Sequence, residues 1–201
     1  MIKTLLIDIG GVLLTNGWDR HERAKAIEHF GLEPEEFAMR HEMAFEEHEV
    51  GRITLDQYLD RAVFYKPRTF TCPEFKEFMF AQSAELPDMI AFIKELKAKH
   101  GLVVAAVSNE GRELQQFRIK KFKMEEYIDS FLISSFLFWR KPGETIFQIA
   151  LDVTQSNPAE TVFIDNLKLS VEVATTLGIH GVHHVDVAST RAKLAELGLS
   201  L

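Results

Sequence analysis

The apolar and polar positions of this chain of 201 residues follow two regimes. Thr4-Leu5-Leu6-Ile7 is a short apolar run, the pattern of a strand buried on both faces, and Asp8 and then Gly10-Gly11 follow it. From about Trp18 to Gln82 no strand pattern recurs. Asp19 can cap a helix that runs to Phe30 and stops at Gly31. Pro34 opens a second helix, with Phe37, Met43 and Phe45 among its apolar residues, and Gly51 breaks it. Thr54 caps a third, with Leu55, Tyr58, Leu59 and Ala62 at helical spacing, and Thr71-Cys72-Pro73 starts a fourth, with Phe75, Phe78 and Met79 on one stripe.

Beyond this block strands and helices alternate. The pattern predicts a helix from Pro87 to about His100, ended by Gly101, and a Val-rich strand from Leu102 to Val107. It then predicts a helix from Gly111 to Lys123, a strand over Phe131–Ile133, and a helix opened by Pro142-Gly143-Glu144 and running to Leu151. Thr161–Ile164 follows as a strand and Leu167–Leu177 as a helix stopped by Gly178; Gly181–Val185 is a short last strand and Ser189 caps a closing helix. Such alternation predicts an α/β protein with a parallel sheet and helices on both faces. The expected division is a core of residues 1–15 and 84–201, with an inserted all-helical block of residues 16–83 lying over the strand edge.

Composition narrows the functions. The length allows one domain, or one domain with a smaller insert. A net charge of −7 without a dense basic cluster argues against nucleic acid as partner. The single Cys72 excludes an internal disulfide, which predicts a reducing, cytoplasmic location. The apolar run at the N-terminus is short and interrupted by Asp8, unlike a signal peptide, and no stretch reaches the ~18 apolar residues of a membrane span. Most of the 16 Phe are expected in the core, and the oligomeric state is not legible.

Candidate chemistry lies at the strand ends, where ligands sit in open parallel sheets. Asp8 ends the first strand, Ser108-Asn109 the second, Lys141 follows Phe131–Ile133, and Asp165-Asn166 ends Thr161–Ile164. Taken singly, Ser108 or Asn109 reads as a helix cap, Lys141 as a solvated lysine and Asp165-Asn166 as a turn. An Asp closing a buried strand is costly unless it is paired, hydrogen-bonded or metal-bound. Together, two carboxylates could share a hard divalent cation such as Mg²⁺, while a hydroxyl, an amide and an ammonium could bind phosphate oxygens. A carboxylate can also act as a nucleophile and form an aspartyl-phosphate.

Asp8-Ile9-Gly10-Gly11-Val12, Ser108-Asn109, Lys141-Pro142 and Ile164-Asp165-Asn166 match, in order and strand context, the four motifs of the haloacid dehalogenase-like hydrolases, which the chain resembles over essentially its whole length. The resemblance implies a Rossmann-like, doubly wound parallel sheet with a small helical cap. It implies Asp8 as nucleophile, and Mg²⁺ held by Asp8, Asp165, the Gly10 carbonyl and Asn166. Phosphate contacts are implied for Ser108 and Lys141, with Asn109 beside them.

Two positions depart from the pattern. Family phosphatases usually carry a second Asp two residues after the nucleophile, as general acid and base; here that residue is Gly10. Losing such an acid typically costs about 10²–10⁴ in rate. The fourth motif often has two acids, and here the second is Asn166, which keeps an oxygen ligand and removes a charge. Glycine at position 10 is also seen in members resembling sugar-1-phosphate phosphatases. The resulting expectation is a slow Mg²⁺-dependent phosphatase of a small phosphorylated metabolite, biased towards good leaving groups. Two alternatives stand beside it: a 2-haloacid dehalogenase, which also uses an Asp nucleophile but needs no metal, and a non-catalytic or regulatory phosphate-binding protein.

In the helical block, Trp18 reads as core and Asp19 as an N-cap, while Arg20 or His21 could meet a substrate's polar groups. His41, Glu42, Glu46, Glu47 and His48 read as a solvated acidic face rather than a metal cluster. Glu110, Arg112 and Trp139-Arg140 could border the site, and His180, His183 and His184 are not expected to be ligands.

Overall fold

A computed structural model describes residues 1–201. Five strands form one parallel sheet: β1 (Thr4–Ile7), β2 (Val103–Ser108), β3 (Ser130–Ile133), β4 (Thr161–Asp165) and β5 (His180–His183), in the order β3-β2-β1-β4-β5. Leu5, Leu6 and Ile7 are fully buried because helices cover both faces. Leu5 and Ile7 join one apolar cluster, with Phe92, Ile93 and Leu96; Leu6 joins another, with Phe147 and Phe163. The central position of β1, between β2 and β4, places its carboxyl end at the point where the strand order reverses.

The expected helices form: α1 (Arg20–Phe30), α2 (Pro34–Glu49), α3 (Leu55–Ala62), α4 (Cys72–Ala81), α5 (Pro87–His100), α6 (Arg112–Lys121), α8 (Glu144–Thr154), α9 (Lys168–Thr176) and α10 (Val187–Glu196). The Asp19 side chain accepts the His21 amide at 2.7 Å, and Thr54 and Thr71 make reciprocal capping boxes with Gln57 and Glu74. A four-residue helix, α7 (Ser134–Leu137), was not legible in the sequence because its residues Ser-Ser-Phe-Leu extend the β3 pattern.

α1–α4 have a core of their own, in which Trp18 Nε1 donates to the Tyr58 hydroxyl at 2.9 Å and the Trp18 ring meets Phe75 edge-on. This core also takes Leu114 from α6, and Phe80 stacks on Phe117 of α6. The two chain segments linking the block to the sheet run side by side, with Thr15 donating to the Ala84 carbonyl and Leu86 to that of Leu13.

Several expectations are corrected. Ser189 is not the cap of α10: Asp186 is, and Ser189 completes its capping box three residues on. β5 begins at His180 and ends at His183, so Val185 lies outside it and is exposed. α6 ends at Lys121 rather than Lys123. On α2, Glu42, Glu46 and Glu47 are solvated, but His48 is buried, its ring stacked on Tyr58, and His41 Nδ1 bonds the same tyrosine's hydroxyl at 2.7 Å. Met43, one of the apolar residues of α2, is 79% exposed. An acidic helix with two histidines two turns apart hides which face docks, because burial here is set by Tyr58 and not by hydropathy.

Candidate active site

The site begins where β1 ends. Asp8 continues the ladder through its amide to the Ile164 carbonyl at 2.9 Å, and the chain then closes a tight turn in which the Leu13 and Leu14 amides bond the Ile9 carbonyl. Gly11 permits this turn: its φ is +73°, and a Cβ there would lie 2.2 Å from Asn166 Nδ2. The carboxyl end of β1 is thereby brought against that of β4.

Lys141 joins the carboxylates. Its Nζ lies 3.0 Å from Asp8 Oδ1 and 2.5 Å from Asp165 Oδ2, and all three side chains are withdrawn from solvent. Asp8 Oδ1 also accepts the Ile9 amide at 2.8 Å, and Asp165 Oδ1 accepts the Leu167 amide at 2.6 Å. Burial by itself lowers the ammonium's pKa, but Asp8 and Asp165 together outweigh it and raise it. Burial, and then the nearby Asp8, push the Asp165 carboxyl up to about 6. Asn109 holds the lysine's backbone: its Nδ2 donates to the Lys141 carbonyl at 2.8 Å and its Oδ1 accepts the Lys141 amide at 2.9 Å. Asn109 is thus committed to placing Lys141, a role that its expected phosphate contact did not include.

Asp8, Gly10, Ser108, Asn109, Lys141, Asn166 and Arg20 all border one cavity of about 510 Å³ between the strand edge and the helical block. Asp165 does not border it and lies behind Lys141. The lining is mostly polar; Trp18, Phe45 and Leu167 are its large apolar members. Arg140 reaches the cavity, whereas Trp139 faces outward and Arg112 instead donates to the Ser135 carbonyl at 2.7 Å.

The donors left at the floor are oxygens. Asp8 Oδ2 and the Gly10 carbonyl accept no hydrogen bond, and Asn166 adds an amide. No group of three or more His, Cys, Asp or Glu side chains is placed to hold a metal ion. Two carboxylates facing one ammonium leave excess negative charge. A hard divalent cation that accepts backbone, amide and water oxygens fits such a set; a soft-ligand metal does not.

Four lining side chains were missed in the sequence, and Gly17 beside them. Arg23 donates to the Trp18 carbonyl at 2.5 Å, and Asn16 donates to Asp19 at 2.8 Å. Arg118, fully buried, lies 3.2 Å from Glu110 Oε2 and donates to the carbonyl of Thr15 in the linker. Gly17 makes room for this pair, since a Cβ there would meet Glu110 Oε2 at 1.9 Å. Burial carries the Glu110 carboxyl up to about 7 despite Arg118. Glu49, the last residue of α2, is the fourth; nothing in its local sequence separates it from the solvated glutamates beside it.

A doubly wound α/β fold with paired carboxylates and a buried lysine at the carboxyl edge of its sheet defines the class. The sequence profile of the haloacid dehalogenase-like (HAD) hydrolases matches residues 2–166, and the chain belongs to that family. A segment of 116 residues is 30% identical to (S)-2-haloacid dehalogenase 4A of Burkholderia cepacia, covering 55% of this chain and 50% of that enzyme. The chain therefore spans about half the length of this curated relative. A HAD family enzyme from Bacteroides thetaiotaomicron, solved in complex with magnesium and inorganic phosphate, is similar in fold at a TM-score of 0.76 and 25% identity, with 90% of this chain and 92% of that chain covered. A predicted HAD-like family hydrolase from Porphyromonas gingivalis shares the fold at a TM-score of 0.79 and 19% identity, with 100% of each chain covered. No helix is long and apolar enough to cross a membrane.

Proposed function

We propose that the protein is a Mg²⁺-dependent phosphatase of a small phosphorylated metabolite, of the sugar-phosphate class, acting through an aspartyl-phosphate at Asp8. The observation that carries this reading is the Asp8–Lys141–Asp165 cluster at the floor of a polar cavity. The similar Bacteroides enzyme with magnesium and inorganic phosphate supports it. Asp8, the Gly10 carbonyl and Asn166 would hold Mg²⁺, whereas Asp165, expected as a further ligand, has both oxygens bonded behind Lys141 and adds its charge from there; the ion when bound would supply positive charge against the repulsion between Asp8 and a phosphate dianion.

Ser108 Oγ, which has no hydrogen-bond partner in the protein, and Lys141 Nζ bind phosphoryl oxygens. The Asp8 carboxylate attacks phosphorus as the bond to the leaving oxygen breaks, and water then hydrolyses the aspartyl-phosphate. Asn109 positions Lys141 through its backbone. Residues 16–83 act as a cap, and Arg20, with Arg23 and Arg140, meets the polar remainder of the substrate. Gly10 can contribute no proton, which makes the fate of the leaving group the open step in this scheme.

The test is phosphate release from a panel of sugar phosphates with and without Mg²⁺, using the wild type and Asp8→Asn. Release that needs Mg²⁺ and disappears in a folded Asp8→Asn protein supports the reading; release that persists in that variant overturns it. The identity to a haloacid dehalogenase favours a second reading, attack of Asp8 on the halogen-bearing carbon of a 2-haloacid. Metal-independent halide release from 2-chloropropionate would establish that reading instead. Phosphate binding with turnover in neither assay would leave a non-catalytic binding protein.

A further inference from the structure

We propose that Glu49 is the acid–base residue of the phosphoryl transfer, supplied by the helical block in place of the side chain that Gly10 lacks. The inference rests on the phosphatase reading of Asp8.

Glu49 is only 7% exposed, yet it borders the cavity. Its carboxylate accepts no hydrogen bond: Oε2 is held only by an ion pair with Arg140 Nε at 2.8 Å, and Oε1 has no partner. Burying a carboxylate with unused acceptors is costly, and such a group is expected to meet a ligand. Its backbone is fixed relative to the sheet. The Glu49 carbonyl accepts the Ser134 hydroxyl at 2.6 Å, and the same hydroxyl accepts the Glu110 amide at 3.0 Å. Glu49, at the end of α2, is therefore fixed against the ends of β2 and β3 and borders the same cavity as Asp8. In-line attack by Asp8 sends the leaving oxygen away from the Asp8 carboxylate, into the cavity that Glu49 also borders.

The other acid bordering the cavity off the floor cluster and also deeply buried, Glu110, is already occupied. Its Oε1 accepts the Gly111 amide at 3.0 Å and its Oε2 faces Arg118. Around Glu49, burial favours the protonated form, Arg140 and Lys141 oppose it, and Glu46 and Asp8 reinforce it. A bound phosphate dianion adds to the reinforcing side.

The step balances as follows. As an Asp8 oxygen bonds to phosphorus and the P–O bond to the leaving group breaks, the Glu49 proton passes to the departing oxygen. In the second step the Glu49 carboxylate takes a proton from the water whose oxygen bonds to phosphorus. The P–O bond to Asp8 breaks, inorganic phosphate leaves, and Glu49 is again protonated.

The experiment compares wild type and Glu49→Gln, both with Mg²⁺, on 4-nitrophenyl phosphate, whose leaving group needs no proton, and on sugar 6-phosphates, whose alkoxide does. The quantity read is kcat/KM, which covers the steps through the aspartyl-phosphate. Glu49→Gln is expected to lose about 10²–10⁴-fold on a sugar 6-phosphate and less than about tenfold on the aryl ester. A burst of nitrophenolate is also expected, because hydrolysis of the aspartyl-phosphate has lost its base. Equal losses on both esters, no loss, or a rise in KM confined to the sugar phosphate would overturn the proposal, the last assigning Glu49 to hydroxyl binding. Wild type that cleaves the aryl ester and no alkyl phosphate would also overturn it while leaving the phosphatase reading standing. Wild type that cleaves neither ends both. Should Glu49→Gln fail to fold, as seen by circular dichroism, Glu49→Asp keeps the acid and must show the same ordering of substrates with a smaller loss.

Discussion

The floor and the roof of the cavity are built differently. The floor residues are held close to the sheet: Asp8 and Asp165 end strands and accept backbone amides, and Lys141, its backbone fixed by Asn109, pairs with both carboxylates. The roof residues Arg20, Arg23 and Glu49 extend from helix ends, and Glu49 has hydrogen-bonding capacity to spare. The floor has little freedom to accept a new shape, which suits a reaction that is the same for every phosphate ester. The roof offers long side chains on a block that docks through polar contacts such as Ser134 to Glu49 and the Leu55 amide to Glu113. Substrate choice belongs on that side.

Four substitutions sharpen this contrast. Asp8→Asn, at the floor, is expected to cut phosphate release by about 10⁴-fold or more with the fold intact, measured by single-turnover phosphate release alongside circular dichroism. Arg118→Met removes the cation of a buried pair at the joint between floor and roof. It should destabilise the protein by about 3–5 kcal/mol in urea unfolding, because Glu110 is left buried without a partner. An unchanged midpoint would show that the pair does not tie the two regions together.

The third concerns pH. Burial raises the Glu110 carboxyl from an ordinary 4.5 to about 7. In the unfolded chain it loses its proton near 4.5, whereas the folded protein keeps it until about 7, so the unfolded state binds fewer protons across that window and stability falls as pH rises. The stability difference between wild type and Glu110→Gln should therefore decrease by about 3 kcal/mol between pH 4.5 and 8, read from urea curves at each pH. A flat difference contradicts this assignment. The smallest effect is expected at the exposed roof: Arg20→Ala should raise KM for a sugar phosphate by less than about tenfold, about 1 kcal/mol, with kcat unchanged. A fall in kcat instead would move Arg20 from binding to chemistry.

Much of this molecule is visible in one dimension. The apolar runs of β1, β2 and β4, the caps Asp19, Thr54 and Thr71, and the polar residues at three strand ends are local features, since strand burial and helix capping depend on neighbours within a few positions. The parallel order of the strands then carries Asp8, Ser108, Lys141 and Asp165 to one edge, so the floor of the site is largely legible. The roof is not. Glu49 stands among exposed glutamates, Arg118 among exposed lysines, and His48 on a helix that reads as solvated throughout.

What the sequence by itself determined, then, is an α/β sheet with an inserted helical block and the chemistry at the strand ends. Which charges around the cavity are buried was decided by tertiary docking of α2 and α6, through Ser134, Gly17 and Tyr58. The physical reason is that desolvation of a charge depends on what covers it. For Glu49 the charge partner, Arg140, and the backbone anchor, Ser134, lie 91 and 85 positions away, too far for any local pattern to record.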